Sequence, residues 1–266
     1  MSYAIDRRTA IVTGAASGVG LAIARHFAEQ GTNVMFADRD SKQLRSEIDS
    51  TMDNVDCFVG DLCEQLTQSN LLAATVDRFD RVDILVNASR EMRTSDKANI
   101  KLNVLDHMLD HNLRQHYSIS RMVARQFTEQ PHPRTRPNEP IGSIVNVTSI
   151  AADRIHPDLV EYSVSCAALE QLTRSMAAAL AADRITVNAV SFGSVVSGRL
   201  QEAIAKSPDM RARIVSATPL GRIADAEEVA EAVQFLVSGA ARFITGQIIG
   251  VDGGRSLLDR FSEPVH

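Results

Sequence analysis

Thr13-Gly14-Ala15-Ala16-Ser17-Gly18-Val19-Gly20 stands between two runs of different periodicity, and its reading decides the fold. Before it, Thr9-Ala10-Ile11-Val12-Thr13 is short and largely apolar, the pattern of a strand covered on both faces. After it, Leu21, Ala24, Phe27 and Ala28 fall on one helical stripe between Val19 and Gln30. Gly14 permits a tight turn, Gly18 lets the backbone approach a pyrophosphate, and Gly20 allows close helix–strand packing. The helix start, with Ser17 and Val19 in the same turn, offers unpaired N–H groups and a positive dipole end to phosphate oxygens.

The same alternation continues outward from this turn. Asn33–Ala37, Asp56–Val59, Asp83–Val86, Ser143–Val147, Ile185–Val190 and Gln247–Val251 read as further strands, with helical patterns between them. Strand–helix alternation of this kind predicts an α/β fold: a Rossmann-type, doubly wound, seven-stranded parallel sheet flanked by helices, in one domain over 1–266. Residues 129–142 break the rhythm, because their four prolines forbid a regular helix or a central strand. They read as an exposed connection.

Bulk properties narrow the class. With 44% hydrophobic and 23% charged residues, the 266-residue chain has ordinary globular composition. A net charge of -5 argues against a nucleic-acid footprint, and no apolar run approaches the roughly 18 residues of a membrane span. The N-terminus reaches its first strand too early for a signal peptide. Three cysteines, Cys57, Cys63 and Cys166, have neither disulfide nor metal spacing. The expectation is a cytoplasmic protein without membrane or nucleic-acid partners.

Asp38 closes the second strand close to twenty residues after the glycines, where a carboxylate accepts hydrogen bonds from adenosine ribose hydroxyls and repels a 2′-phosphate. Arg39 beside it dissents, since a guanidinium grips a 2′-phosphate. The balance favours NAD over NADP.

The spacing Thr-Gly-x-x-x-Gly-x-Gly, together with Tyr162-Ser163-Val164-Ser165-Cys166, resembles the short-chain dehydrogenase/reductase family over about residues 8 to 255. The resemblance implies an NAD(P)-dependent oxidoreductase that moves a hydride between nicotinamide and a secondary alcohol or ketone. It implies Tyr162 as acid/base, Ser149, thirteen positions earlier, as the holder of the substrate oxygen, and Asn112 as the helix asparagine whose backbone anchors a water relay. It also assigns cofactor contacts to Asp61, Leu62, Asn87, Tyr162, Gly193 and Val195. A homodimer or homotetramer is implied through the helices that carry Asn112 and Tyr162.

Three departures cluster at the nicotinamide end. Cys166 stands where the family has a lysine that bonds the nicotinamide ribose and depresses the tyrosine pKa. An unassisted tyrosine is only ~0.1% ionised at pH 7, and bringing its pKa to about 7 is worth roughly 4 kcal/mol. Arg90 replaces a glycine; its charge partly compensates, or its bulk blocks the pocket. Phe192 replaces a proline. Lys42, Lys97, Lys101 and Lys206 all fall outside the expected pocket segments. The alternative to a weakened enzyme is a non-catalytic nucleotide-binding subunit. His107 and His111, at i and i+4, read as a solvated helix face, because no glutamate stands between them as in His-Glu-x-x-His.

Overall fold

The computed structural model describes residues 3–48, 52–95, 102–132, 139–207 and 209–258. Seven strands form one parallel sheet: β1 (Thr9–Thr13), β2 (Asn33–Asp38), β3 (Val55–Val59), β4 (Ile84–Asn87), β5 (Gly142–Ser149), β6 (Ile185–Phe192) and β7 (Ile248–Val251). Their order is β3-β2-β1-β4-β5-β6-β7. The chain winds outward from β1 to β3, then returns to start again at β4, so β1 and β4 flank a topological switch point. In open α/β sheets the crevice at the carboxyl ends of such strands is the ligand site. The expected fold is therefore the observed one.

Alternation along each strand explains why both faces need cover. Val12 packs with α1 (Gly18–Glu29) and α9 (Ala226–Val237) through Ile23, Phe27, Val229 and Val233. Its neighbour Ile11 faces the other side, with Leu71 of α3 (Gln65–Phe79) and Val123 and Phe127 of α5 (Gln115–Glu129). Every residue of β1 is buried, as its unbroken apolar run requires.

β5 and β6 each run two residues beyond their expected ends, to Ser149 and Phe192. There the two residues pair across the ladder. The polar run Thr148-Ser149 and Ser191 hides this extension from an apolar pattern, although the ladder itself continues. The rest of the frame comprises α2 (Ser41–Glu47), α4 (Leu102–Leu109), α6 (Val160–Leu180), α7 (Gly198–Lys206) and α8 (Asp209–Ser216). A single π-helical turn, Asp110–Arg114, joins α4 to α5. Of the proline-bearing connection, residues 133–138 lie outside the described residues, as do Lys97 and Lys101. Among the described residues, no helix is long and apolar enough to cross a membrane.

Candidate active site

The carboxyl ends of β1, β2, β4, β5 and β6 open onto one cavity of about 1230 Å³. Gly14, Ser17, Gly18, Val19 and Gly20 line one part of it, beside Asp38, Arg39, Asp61 and Leu62; Ser149, Tyr162, Gly193 and Val195 line another. Gly14 holds φ +69°, and a Cβ there would come within 2.7 Å of the Ser89 backbone, so only glycine fits between β1 and the segment after β4. Gly18 holds φ +57° and faces open space within 4 Å. That is the geometry a phosphate cradle needs: bare backbone at a helix N-terminus, with room in front of it. The residues present therefore fit a dinucleotide.

The Asp38 carboxylate is fixed at the end of β2. One oxygen accepts from the Ala16 N–H at 3.1 Å and the other from the Asp40 N–H at 3.0 Å. Arg39 extends instead toward Glu91, with Nη2 3.8 Å from its Oε2.

Tyr162 lies in the first turn of α6 and is 2% exposed. Its hydroxyl accepts a hydrogen bond from Arg90 Nη1 at 2.9 Å. The Arg90 guanidinium carbon also stands 4.4 Å from the centre of the Phe192 ring, a cation–π distance. Two of the three departures therefore touch each other, and the charged one touches the tyrosine. Phe192 gives the guanidinium an aromatic floor, while Arg90 as a whole remains exposed. Cys166, one turn beyond Tyr162 on α6, is 4% exposed and hydrogen-bonds the tyrosine. Burial pushes the Cys166 thiol up, so it remains a neutral partner.

The charges around Tyr162 act in opposite directions. Burial raises its phenol above the ordinary value of 10; Arg90 and the Ser149 hydrogen bond pull it down, and Cys166 pushes it up. Burial outweighs the rest, so the phenol stays protonated at neutral pH.

Two expected site residues keep their side chains out of the cavity lining. Asn87 is fully buried, and its Nδ2 donates to Ser120 Oγ at 2.9 Å and to Asn146 Oδ1 at 2.8 Å. It ties β4 to β5 and α5 and so supports the site from beneath, in place of the expected cofactor contact. Asn112 sits in the π-turn, where its side chain brackets the backbone of Glu91. Oδ1 accepts from Glu91 N–H at 2.8 Å and Nδ2 donates to Glu91 C=O at 2.8 Å. Nδ2 also reaches Ser165 Oγ at 3.0 Å. The widened turn aims this amide at the loop after β4 and fixes the segment that carries Arg90.

His116, absent from the sequence reading, performs a matching task. It is 1% exposed, and its Nε2 donates to Ser89 C=O at 2.8 Å. Burial depresses its pKa to about 4. Because the folded value lies below the unfolded one of about 6.5, the unfolded chain binds the extra proton between the two. Stability is therefore full above about pH 6.5 and falls by about 3 kcal/mol as pH drops to 4. Denaturant titrations of wild type and His116→Gln across that window check this; the variant should lose most of the slope.

Comparison with known proteins agrees with the scaffold. A family model described as Enoyl-(Acyl carrier protein) reductase matches residues 14–256. The chain is 30% identical to a 3-oxoacyl-[acyl-carrier-protein] reductase FabG of Thermotoga maritima, over 94% of this chain and 98% of that protein. It is 33% identical to the protein of the same name from Rickettsia prowazekii, with the same coverage. Among solved structures, gox2181 superposes with a TM-score of 0.87 at 29% identity, covering 96% of this chain and 98% of the other. A short-chain type dehydrogenase/reductase from Mycobacterium ulcerans superposes at 0.85 and 25% identity, covering 95% and 90%. Fold, glycine turn and cleft define a dinucleotide-binding oxidoreductase scaffold. The chain belongs to the short-chain dehydrogenase/reductase family.

Proposed function

We propose that the protein is an NAD(H)-dependent ketone reductase in which Arg90 supplies the positive charge that the family's lysine ordinarily gives the tyrosine. The observation that carries this is the 2.9 Å contact from Arg90 to the Tyr162 hydroxyl, inside the cavity that Ser149 also lines. The bound dinucleotide supplies the hydride. Tyr162 gives its proton to the substrate oxygen as charge builds there, and Ser149 donates a hydrogen bond to the same oxygen. Arg90 stabilises the phenolate that remains. Cys166 fills the lysine's place as a small neutral residue that also bonds the tyrosine.

Direction follows from the tyrosine. A phenol held above its ordinary value is an acid at neutral pH, which suits reduction. The reduction rate should be flat through neutrality and fall only as pH passes the raised value. The reverse oxidation needs the phenolate and should rise roughly tenfold per pH unit below it. A panel of small ketones and a 3-oxoacyl thioester, assayed in both directions against pH, tests this; flat profiles in both directions would contradict it. The thioester is included because the FabG relatives are named for that substrate.

NAD preference rests on Asp38, whose carboxylate is fixed at the cavity and repels a 2′-phosphate. Asp38→Ser should move the NADH-to-NADPH ratio of kcat/KM toward NADPH by about tenfold or more, the value of one unpaired charge contact. An unchanged ratio would assign preference to Arg39.

One observation favours a second reading, a non-catalytic nucleotide-binding subunit: Arg90 stacks on Phe192 within the cavity itself. NADH binding with no turnover on any ketone would support it. Assembly as a homodimer or homotetramer is proposed through α5 and α6, which leave Tyr117 and Val164 exposed. Sedimentation showing only monomer would refute that.

A further inference from the structure

Glu91, His107 and His111 converge at the rim of the cleft, although they come from two separate segments. The ligand atoms of all three lie within 4.8 Å of one another. His107 Nε2 is 2.9 Å and His111 Nε2 3.6 Å from Glu91 Oε2, and the two imidazole rings are 4.1 Å apart. With metal–ligand bonds of about 2.0–2.1 Å, ligand atoms of a tetrahedral Zn2+ site stand about 3.3 Å from each other. The observed spacings bracket that value.

We propose that these three residues bind a divalent transition metal of the Zn2+ class. Two imidazoles and one carboxylate are the donor set such ions favour, and three protein ligands leave a further position open. The orientation of the donors supports a shared ion. His111 Nδ1 donates to the His107 carbonyl at 3.1 Å, which leaves the Nε2 lone pair facing Glu91. Glu91 Oε2 and His107 Nε2 are buried atoms that make no well-formed hydrogen bond, although they stand in contact. Asn112 clamps the Glu91 backbone from both sides, so the carboxylate is held against the helix that carries the histidines. His111 lies in the π-turn Asp110–Arg114 and His107 in the last turn of α4 before it, with their rings in tilted contact. Arg93 occupies the other carboxylate oxygen, Oε1, at 2.7 Å; the exposed Arg39 side chain stands 3.8 Å from Oε2 and must turn outward when an ion binds.

The site lies next to chemistry. Glu91 and His111 line the large cavity, and Glu91 follows Arg90 directly in the chain. A bound ion cross-links the loop after β4 to the π-turn and so restrains the segment from which Arg90 reaches Tyr162.

Co2+ titration of the full-length protein at neutral pH tests the site, because a low-coordinate Co2+ complex absorbs visibly and the aquo ion scarcely does. One Co2+ per chain is expected, with nitrogen/oxygen-type bands, no thiolate charge-transfer band, and displacement by Zn2+. Glu91→Gln is isosteric and retains both backbone bonds to Asn112; it should weaken binding by about 100-fold, as should His107→Gln. Zn2+ should raise the melting temperature of the wild type and leave that of either variant unchanged. Visible bands of equal strength in the variants, a thiolate band, or no low-coordinate spectrum in the wild type would each overturn the proposal.

Discussion

Tyr162→Phe should abolish ketone reduction, lowering kcat by about 10²- to 10⁴-fold, the usual worth of a positioned general acid. NADH affinity should change by less than about threefold, since the phosphate cradle formed by Gly14, Gly18 and the start of α1 lies on other elements. The substitution removes one oxygen from a residue that is 2% exposed, so the ring still fills its place in α6. It also takes the acceptor from Arg90 Nη1, but Arg90 is an exposed residue and water can replace that partner. The melting temperature should therefore change little while the rate collapses. Steady-state kinetics and thermal melts on the same preparation separate the two. Turnover surviving the substitution would remove Tyr162 from the mechanism.

The second large effect concerns Arg90→Met, which keeps an apolar stem over Phe192 and deletes the charge. A charge-assisted hydrogen bond contributes about 2–3 kcal/mol, so reduction should slow by roughly 30- to 150-fold. Oxidation should suffer more at any pH below the tyrosine pKa, because that pKa itself rises. Cys166→Lys separates the roles. Added to the wild type, the lysine meets a tyrosine already paired with a guanidinium and should gain less than about tenfold, or lose activity through like-charge repulsion with Arg90. Added to Arg90→Met, it should recover most of the lost rate. A large gain in the wild type and none in the Arg90→Met background would show that Arg90 does nothing for Tyr162.

Much of this was legible in the residues alone. The glycine turn, the apolar strands and the spacing from Ser149 to Tyr162 fix which ends of which strands meet, because parallel ladders carry register from β1 through to β7. The three departures at Cys166, Arg90 and Phe192 were equally visible. Their relation was not. Residues 90, 162 and 192 belong to separate elements, and the direction of a guanidinium depends on packing that no local pattern encodes. The sequence alone weighed against compensation, because a guanidinium rarely replaces a lysine point charge, whereas the contact with Tyr162 favours it.

The side-chain partners of the two asparagines were hidden for a different reason. Asn87 and Asn112 occupy the right places in the chain, but a buried amide has several hydrogen bonds to satisfy, and these settle on Ser120, Asn146, Ser165 and the Glu91 backbone. His107 and His111 were read as a solvated face because no glutamate stands between them, and their third partner stands sixteen residues upstream of the first. No spacing rule reaches that far. His116 gave no signal at all, since a single histidine on an amphipathic helix looks the same buried or exposed.

The ionisation of Tyr162 itself is the most direct measurement. Ultraviolet difference titration of wild type against Tyr162→Phe isolates this phenol from Tyr3 and Tyr117, and the same pair in the Arg90→Met background isolates the effect of the guanidinium. The wild-type phenol should titrate above 10 and should move higher still in Arg90→Met, because the guanidinium that pulls it down is gone. An identical titration in both backgrounds would contradict the pairing of Arg90 with Tyr162.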